Sequence, residues 1–546
     1  MASKIKIIFA AALTLFLSLS CTKEGETGGK EPSAISFSLS SVKFDVSGGT
    51  KNIFVTTSLS CTAESDSPSW LSAVLSENGK TLTVEASVNN GAARSGIVSV
   101  RAESATARLA VSQAAYSSAE VSLLSAGWEI SDADASSNSL SWILNNNYPA
   151  NLGDGKGVAY ISTEGADVAR SLRSQTVSGS HLAENDSFVF CWPGVSVAVG
   201  STVDFMCSIF SRSDLAPKYW IFEYLEGGEW KSVAQDLRPA AEDPSLMYSF
   251  KLFSDASQYV SFSQSFTVGR PLEAADLKMR LRAVGKYNTS GGVLSAASGE
   301  YVSFANTPWT ACTVNIYRGI PVKDSRNVLV LGNSFTYYYG TAFCLKEIAR
   351  SQGHDMHLHP FSKASQYLSD HRTLELSLEQ TTLGGYDCAF LQDQSGQHSR
   401  YASDPESNSS VLTQTRNLIN LIKQYSPSVN IFLENTWAFA ASTYGGYGSY
   451  ESFDSLLQSG AKAVADATGS TVSPIGAAFQ KAREQGVTDL YYTDSKHPSH
   501  SGAYLKACVN YLMIYGTAFD SNASDCGLSA DAAAKLRSIA EQVVLK

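Results

Sequence analysis

The fold of the C-terminal region is decided by the stretch Val328-Leu329-Val330-Leu331-Gly332-Asn333-Ser334-Phe335-Thr336. Four consecutive apolar residues predict a strand that is buried on both faces, as in a parallel sheet. The strand runs directly into a tight turn that carries a serine. A serine hydroxyl becomes a good nucleophile at neutral pH only when a neighbouring base takes its proton. Ser334 is therefore a candidate nucleophile.

A second motif, near the C-terminus, supplies the groups that such a serine needs. It is Asp494-Ser495-Lys496-His497-Pro498-Ser499. A histidine can accept the proton of a serine, and a carboxylate can hold the imidazole in the required orientation and tautomer. We therefore expect His497 to be the base and Asp494 to be the orienting acid.

The two motifs resemble those of the SGNH (GDSL-like) hydrolases, and the resemblance extends over residues 325–546. In that family the nucleophile follows the first strand in a Gly-x-Ser turn, and an Asp-x-x-His motif lies close to the C-terminus. Gly332-Asn333-Ser334 and Asp494-x-x-His497 match both. The resemblance implies a serine esterase domain that uses Ser334, Asp494 and His497 and requires neither a cofactor nor a metal.

The family's oxyanion hole is matched less closely. The resemblance implies donors at the backbone N–H of Ser334, near Ser365, and at the side-chain amide of Gln392, which stands where the family has an asparagine. The family's glycines are replaced here by Ala364 and Ser365. A backbone donor survives such a replacement if the backbone angles are kept. Two alternatives stay open: Gln392 caps its strand, or Gln394 carries the role.

Strands and helices alternate across the C-terminal region. Apolar runs predict strands at Asn327–Leu331, Met356–His359, Cys388–Leu391 and Asn430–Leu433. Helical patterns occur at Ala342–Ser351, Ser410–Gln424 and Gly502–Tyr515. This alternation predicts an α/β/α, flavodoxin-like domain with a parallel sheet. Ligand sites of such sheets lie beyond the carboxyl ends of the strands, so Ser334, Gln392 and Glu434–Trp437 should share one rim.

The N-terminus indicates export. Lysines at positions 4 and 6 precede an apolar run from Ile7 to Leu19 that is too short to be a spanning helix. The run ends at Cys21, which resembles a lipobox cysteine, and residues 22–32 form a polar linker. We expect residues 1–21 to be a lipoprotein signal peptide and Cys21 to carry a lipid anchor to the cell envelope, on the outer membrane, with a periplasmic or surface location. Cleavage and secretion without an anchor is the alternative.

Two all-β sandwich modules are predicted before the α/β domain. Short strands separated by turns predict an immunoglobulin-type sandwich at 33–116, which resembles the BACON domains of glycan-utilisation lipoproteins. That resemblance implies either carbohydrate binding or a spacer role. Residues 119–318 predict a jelly-roll-like sandwich. It contains six of the eight tryptophans, at 128, 142, 192, 220, 230 and 309, and most of them are expected to fill its core rather than to bind sugars.

Composition excludes some partners. The 546-residue chain has a formal net charge of −10, which argues against a nucleic-acid partner.

Cys388 and Cys508 lie in apolar segments and are expected to be core residues. His354, His357 and His359 have metal-like spacing, but neither a cysteine nor an acid completes a zinc pattern.

The sequence therefore predicts an envelope lipoprotein that removes O-acetyl, or other short acyl, groups from a polysaccharide or oligosaccharide. Within enzymes, a lipase or thioesterase of the same fold is the rival. Outside enzymes, the rival is a non-catalytic surface glycan-binding lipoprotein, which the altered glycine block keeps open.

Overall fold

The computed structural model describes most of the chain. The described residues are 35–44, 48–87, 89, 93–103, 105–114, 122–128, 148–150, 152–153, 156–162, 184–197, 201–211, 214–233, 237–253, 258–269, 272–294, 302–304, 312–318, 322–440 and 446–546. Cys21, the signal peptide, the linker, Trp142 and Trp309 lie outside them. The chain divides into two compact units: the smaller one contains most of the first β module, and the larger one contains Ser112–Lys546 together with the short segments Lys43–Gly49 and Ala86–Arg94.

The first β module consists of two four-stranded sheets, with strand orders β1-β3-β6-β5 and β2-β8-β7-β4. Its strands are β1 Ser36–Phe37, β2 Ser41–Phe44, β3 Gly49–Thr56, β4 Thr62–Ser65, β5 Leu71–Leu75, β6 Thr81–Ala86, β7 Arg94–Arg101 and β8 Thr106–Gln113. Alternate apolar side chains of both sheets are buried, among them Ile53, Leu82, Val98 and Leu109. This alternation is that of a β-sandwich whose outer faces are polar.

The second β module is also a two-sheet sandwich. Its strands are β9 Ser122–Trp128, β10 Tyr148–Pro149, β11 Leu152–Gly153, β12 Val158–Ser162, β13 Ser187–Val197, β14 Thr202–Ser211, β15 Pro217–Glu226, β16 Glu229–Ser232, β17 Arg238–Pro239, β18 Met247–Tyr248, β19 Phe250–Lys251, β20 Gln258–Thr267, β21 Leu272–Asn288, β22 Val302–Phe304 and β23 Cys312–Arg318. One sheet follows the order β10-β12-β13-β21-β15-β16, and the other contains β11-β9-β23-β14-β20.

Aromatic side chains from both sheets fill the core of this sandwich. The ring of Phe205 on β14 lies 5.1 Å from Phe190 on β13 and 5.0 Å from Phe222 on β15. Trp128, Trp192 and Trp220 are buried in the same core. The prediction that most of these tryptophans are core residues is confirmed for these three.

The α/β region has a parallel sheet with helices on both faces. Its strands are β24 Asp324–Gly332, β25 His354–Lys363, β26 Cys388–Leu391, β27 Asn430–Glu434 and β28 Thr471–Ser473. Its helices are α1 Ser334–Tyr337, α2 Thr341–Ser351, α3 Glu375–Leu383, α4 Gln397–Ser403, α5 Ser409–Tyr425, α6 Tyr450–Thr468, α7 Ile475–Glu484, α8 His500–Tyr515 and α9 Ala530–Val544. The strand order β25-β24-β26-β27-β28 is 2-1-3-4-5 in chain order, the flavodoxin-like arrangement.

The central strand β24 packs helices on each of its two faces, because successive side chains of a strand point to opposite sides. Val328 and Val330 belong to one buried cluster, together with residues of α2, α8 and α9. Leu329 and Leu331 belong to another, together with residues of α5 and α6. Both faces of β24 are buried, which explains why the sequence of this strand is an uninterrupted apolar run.

The second β module and the α/β region share one sheet. Strand β20 pairs antiparallel with the end of β25, so that Val260 lies opposite Phe361 and Tyr259 opposite Ser362. The parallel sheet is thereby continued through β25 into β20, β14, β23 and β9. The sequence predicted separate modules at 119–318 and 325–546, because a pairing between strands about 100 residues apart leaves no local pattern.

Charged groups reinforce this junction. Glu379 on α3 lies 2.6 Å from Arg238 and 2.8 Å from Lys251, both on the second β module, and it accepts a hydrogen bond from Tyr248. The side chains of Glu379, Arg238 and Lys251 are only 11–12% exposed. Ion pairs that are this dehydrated are costly to break on one side only, because the remaining charge stays buried.

Among the described residues, no helix is long and apolar enough to cross a membrane. Cys388 and Cys508 are buried and unpaired, so the prediction that they are core residues is confirmed.

Replacement of Glu379 by alanine should lower the free energy of unfolding of the larger unit by about 3 kcal/mol, since the buried Arg238 loses its carboxylate while Lys251 keeps its pair with Glu375. The matched control is Asp466→Ala, which breaks an ion pair with Lys462 whose partners are 64–71% exposed. The control should cost less than about 1 kcal/mol. Urea denaturation of both variants measures the difference. Equal losses would show that the junction pair adds nothing beyond a surface pair.

Candidate active site

The turn that carries Ser334 is fixed by its own sequence. Strand β24 ends at Gly332, and the short helix α1 begins at Ser334. The side-chain oxygen of Asn333 caps this helix by accepting a hydrogen bond from the N–H of Phe335 at 3.1 Å. A Cβ atom at Gly332 would lie 2.3 Å from the hydroxyl of Thr336, so only glycine allows α1 to fold back so closely on the strand.

The structure brings the three predicted catalytic side chains into one hydrogen-bonded chain. Nε2 of His497 lies 2.8 Å from Oγ of Ser334. Nδ1 of His497 lies 2.5 Å from Oδ2 of Asp494. The contact with the carboxylate requires the proton on Nδ1, which leaves Nε2 to accept the hydrogen of the serine. The arrangement is that of a nucleophile, its base and an orienting acid.

Asp494 is held in its ionised form. Partial burial alone would raise the pKa of its carboxyl group. Hydrogen bonds from the His497 ring and from the backbone N–H groups of Lys496 and His497 outweigh this effect and keep the pKa below its usual value. The carboxylate can therefore stabilise an imidazolium when the histidine takes up a proton.

The loop that carries Asp494 and His497 is braced by aromatic rings. Nε1 of Trp437 donates to the carbonyl oxygen of Lys496 at 2.9 Å. Phe335 stacks on Trp437 at 4.7 Å and meets the His497 ring edge-on at 5.2 Å. Because Phe335 directly follows the nucleophile, the helix that presents Ser334 and the loop that presents His497 are packed against the same tryptophan.

Strand register places three loops at one rim. Gly332 pairs with Ser362 of β25, and Leu331 pairs with Leu391 of β26. The residues that follow these pairs therefore leave the sheet at the same level. Ser334 lies between the Ser365 loop on one side and the Gln392–Gln394 segment on the other, at the switch point of the sheet.

Ser365 has a backbone conformation that is unusual for a residue with a side chain. Its φ of +61° lies in the left-handed region, which favours glycine. Within the described part of the chain, the backbone N–H groups of Ser334 and Ser365 donate to no protein acceptor. Ser365 is also exposed on the rim. Both N–H groups are therefore available for a ligand.

Gln392 does not act as the sequence analysis predicted. Its side chain is 1% exposed. Its amide oxygen accepts from the N–H of Asn333 and from the hydroxyl of Thr336, each at 3.0 Å, and its amide nitrogen donates to the carbonyl oxygen of Asp393. Both ends of the amide therefore help to hold the turn around Ser334, and the burial of the side chain keeps its nitrogen away from a bound oxyanion.

Gln394, two residues further on, is the better placed amide. Its side-chain oxygen accepts from the N–H of Gly396 at 3.1 Å, which orients the group, while its nitrogen has only a 3.4 Å contact with the hydroxyl of Ser395. Gln394 and Ser334 each stand three residues beyond the pair Leu391 and Leu331. The alternative left open by the sequence, that Gln394 rather than Gln392 supplies the amide donor, fits these contacts.

Buried polar side chains that the sequence analysis missed hold the rim together. Nδ2 of Asn333 donates to the carbonyl oxygen of Gln366 at 3.0 Å, which ties the serine turn to the Ser365 loop. Asp393 accepts from the N–H groups of Leu368 and Gln394, and burial raises its pKa to about 6. His371 donates to the carbonyl oxygen of Gly332 at 3.1 Å, and burial lowers its pKa to about 4, so the ring is neutral.

A buried ion pair lies beneath the nucleophile. Nζ of Lys506 on α8 is 2.6 Å from Oε2 of Glu434 at the end of β27, and both side chains are 1% exposed. The same Nζ donates to the carbonyl oxygen of Phe335 and to the hydroxyl of Thr336. Burial lowers the pKa of Lys506, and the Glu434 carboxylate opposes that shift. Lys506 thus holds helix α1 in place, and among the described residues the Glu434 carboxylate is the group that compensates its charge.

The histidines with metal-like spacing have separate partners. His354 contacts Asp324 at 2.7 Å, and His359 contacts Gln380 at 3.3 Å. His500 lies against the carbonyl oxygen of Cys526 at 2.8 Å, beside the site rather than in it. No group of three metal-binding side chains occurs among the described residues.

Comparison with known proteins gives matches at the level of structure. No family model matches the chain, and no curated protein matches it. Solved structures similar to it include a DUF4886 family protein from Bacteroides uniformis, with 19% identity over 41% of this chain and 95% of that one, at a TM-score of 0.36. A protein assigned to the SGNH hydrolases, from Slackia heliotrinireducens, has 20% identity over 35% of this chain and 99% of that one, at a TM-score of 0.28.

An acetylxylan esterase from Geobacillus stearothermophilus is also similar, with 14% identity over 37% of this chain and 99% of that one, at a TM-score of 0.29.

Proposed function

We propose that the α/β region is a serine esterase of the SGNH type. The observation that carries the proposal is the unbroken chain from Asp494 through His497 to Oγ of Ser334, with contacts of 2.5 and 2.8 Å. This chain lies at the switch point of a 2-1-3-4-5 sheet, where ligands of such folds bind.

The reaction follows from the geometry. Oγ of Ser334 attacks the ester carbonyl carbon while its proton passes to Nε2 of His497. The tetrahedral intermediate collapses, and the alcohol leaves with the proton from His497. A water molecule then gives its proton to the same nitrogen and attacks the acyl-enzyme, which releases the carboxylic acid and restores Ser334. Asp494 stays ionised and stabilises the imidazolium in both halves.

The oxyanion would be bound by three donors from three loops. They are the backbone N–H of Ser334, the backbone N–H of Ser365 and the side-chain amide of Gln394. Donors that are already fixed in the free enzyme need no reorganisation as charge develops. The left-handed backbone of Ser365 weakens the alternative of a non-catalytic glycan-binding protein. The loop has the backbone conformation that favours glycine, although a serine stands there.

The proposed substrate is an acetylated polysaccharide or oligosaccharide, and the proposed location is the cell envelope with a lipid on Cys21. Support for the substrate comes from the β modules that precede the α/β region and from the resemblance of the first module to BACON domains. A lipase or thioesterase of the same fold is the second candidate, to be distinguished by substrate. No nucleic acid is proposed as a partner.

Replacement of Ser334 by alanine should lower kcat for 4-nitrophenyl acetate by a factor on the order of 10⁶, down to the level of the assay background. The matched control is Ser538→Ala, since Ser538 is exposed on α9. Both variants should have the circular dichroism spectrum and melting temperature of the wild type. A Ser334→Ala enzyme that retained a tenth of the wild-type rate would refute the assignment.

Replacement of Gln394 by alanine should lower kcat by roughly 10²–10³ with little change in KM, because the lost donor acts on charge that develops in the transition state. Replacement of Gln392 by alanine should instead lower the free energy of unfolding, by about 1–3 kcal/mol, since the N–H of Asn333 and the hydroxyl of Thr336 lose their acceptor. Steady-state kinetics and urea denaturation on both variants separate the two roles. A loss of kcat in Gln392→Ala at unchanged stability would restore the first assignment.

Replacement of Cys21 by alanine should abolish lipid attachment, so that the protein leaves the membrane fraction or keeps its signal peptide. Fractionation of cells and the mass of the mature protein measure this outcome. A normally processed Cys21→Ala protein that stayed in the membrane fraction would exclude Cys21 as the anchor.

A further inference from the structure

Exposed aromatic side chains of the α/β region are concentrated at the proposed active site. Among the described residues from 322 onward, three aromatic side chains stand out as exposed: Tyr367 at 39%, Tyr425 at 40% and Tyr492 at 37%. Two of them, Tyr367 and Tyr492, lie on the loops that carry Ser365 and His497. Tyr425 ends α5 and precedes β27, at the opposite edge of the sheet. Single exposed aromatic side chains are common on protein surfaces, so it is the position of Tyr367 and Tyr492 on the loops of the site, and not their exposure, that makes them candidates for contact with substrate.

Tyr492 lies on the histidine side of Ser334. Its N–H donates to the carbonyl oxygen of His497 at 2.8 Å. Its ring meets that of Tyr338 at 5.7 Å, and the Tyr338 ring stacks on the His497 imidazole at 4.2 Å. The exposed ring of Tyr492 is therefore separated from the catalytic imidazole by a single aromatic ring.

Tyr367 lies on the opposite side of Ser334, next to the proposed oxyanion loop. It follows Gln366, whose carbonyl oxygen accepts from the side chain of Asn333. Its own N–H donates to the carboxylate of Asp370 at 2.9 Å, which closes a turn. The next residue, Leu368, donates to Asp393. The backbone on both sides of Tyr367 is thus anchored, and its ring is presented to solvent from a fixed position.

We propose that Tyr367 and Tyr492 form two stacking subsites for sugar rings, one on each side of Ser334. This proposal rests on the proposed esterase function and specifies its substrate as a glycan with an acyl group on an internal residue of the chain. The ester must lie at Ser334, so neighbouring rings of the same glycan extend towards both tyrosines.

The chemistry of the two tyrosines fits a sugar better than a hydrocarbon chain. A pyranose ring has an apolar C–H face and a polar edge, and tyrosine offers an apolar ring face with a hydroxyl at its tip. A long acyl chain gains free energy only when it is removed from water in an enclosed apolar site. Tyr367 and Tyr492 are 39% and 37% exposed, and the side chain of Asp494, two residues after Tyr492, is 37% exposed.

The test compares two substrates on Tyr367→Ala, Tyr492→Ala and the double variant. One substrate is an acetylated xylo-oligosaccharide mixture and the other is 4-nitrophenyl acetate, which is too small to span either subsite. Each single change should lower the ratio of kcat/KM on the oligosaccharide to kcat/KM on 4-nitrophenyl acetate by roughly 3- to 10-fold, the size of one aromatic contact, through a higher KM. Tyr425→Ala is the matched control and should leave the ratio unchanged.

Three results would overturn the proposal. An unchanged ratio in the double variant would show that neither ring touches the glycan. A wild-type enzyme active on 4-nitrophenyl acetate but inactive on acetylated xylan, glucomannan and pectin would exclude a glycan substrate while leaving the esterase intact. A higher KM for 4-nitrophenyl octanoate in the variants, with the oligosaccharide unaffected, would assign the tyrosines to a lipid acyl chain. A wild-type enzyme inactive on 4-nitrophenyl acetate would instead refute the esterase itself.

Discussion

The parallel register of β24 with its two neighbours is the constraint on which the site depends. Because Gly332, Ser362 and Leu391 leave the sheet at nearly the same level, three separate loops arrive together at one rim. A shift of one residue in either pairing would exchange the side chains that pack on the two faces of a strand, so that each set would meet the wrong layer of helices. The apolar side chains that fix the register by packing on both faces therefore also fix the distance between nucleophile and donors.

Hydrogen bonds between buried polar groups fix the positions of the three loops relative to one another. Asn333, Gln392 and Asp393 hydrogen-bond the three loops to one another, and Lys506 with Glu434 fixes the short helix from the opposite side. Each of these groups is costly to bury alone, and each is compensated by the others. The stability of the rim and the orientation of Ser334 thus depend on the same hydrogen bonds.

Sequence reasoning found the parts of this site that have local signatures. The apolar run before Gly332 and the Asp-x-x-His spacing are visible in the chain, and the structure brings Ser334, Asp494 and His497 together. The proposed oxyanion donors beside these residues could not be identified from the sequence in the same way. Gln392 and Gln394 differ by two positions, and only the hydrogen bonds of Gln392 show which amide is already occupied. In the sequence Lys506 looks like an ordinary helix residue. Its buried partner, Glu434, lies 72 positions earlier, and no local pattern links the two residues.

The shared edge between β20 and β25 limits how this protein can change by exchange of domains. A module that is joined only by a linker can be replaced by an unrelated one, as in many extracellular enzymes assembled from interchangeable parts. Here Val260 and its neighbours complete the backbone hydrogen bonds of Phe361–Lys363, immediately before the loop of Ser365. Loss of the module would expose the edge of β25 and would remove the pairing that holds the strand just before Ser365, a proposed oxyanion donor. In this protein the second β module therefore acts as a structural part of the α/β region, and replacing it would require another strand to pair with Phe361–Lys363.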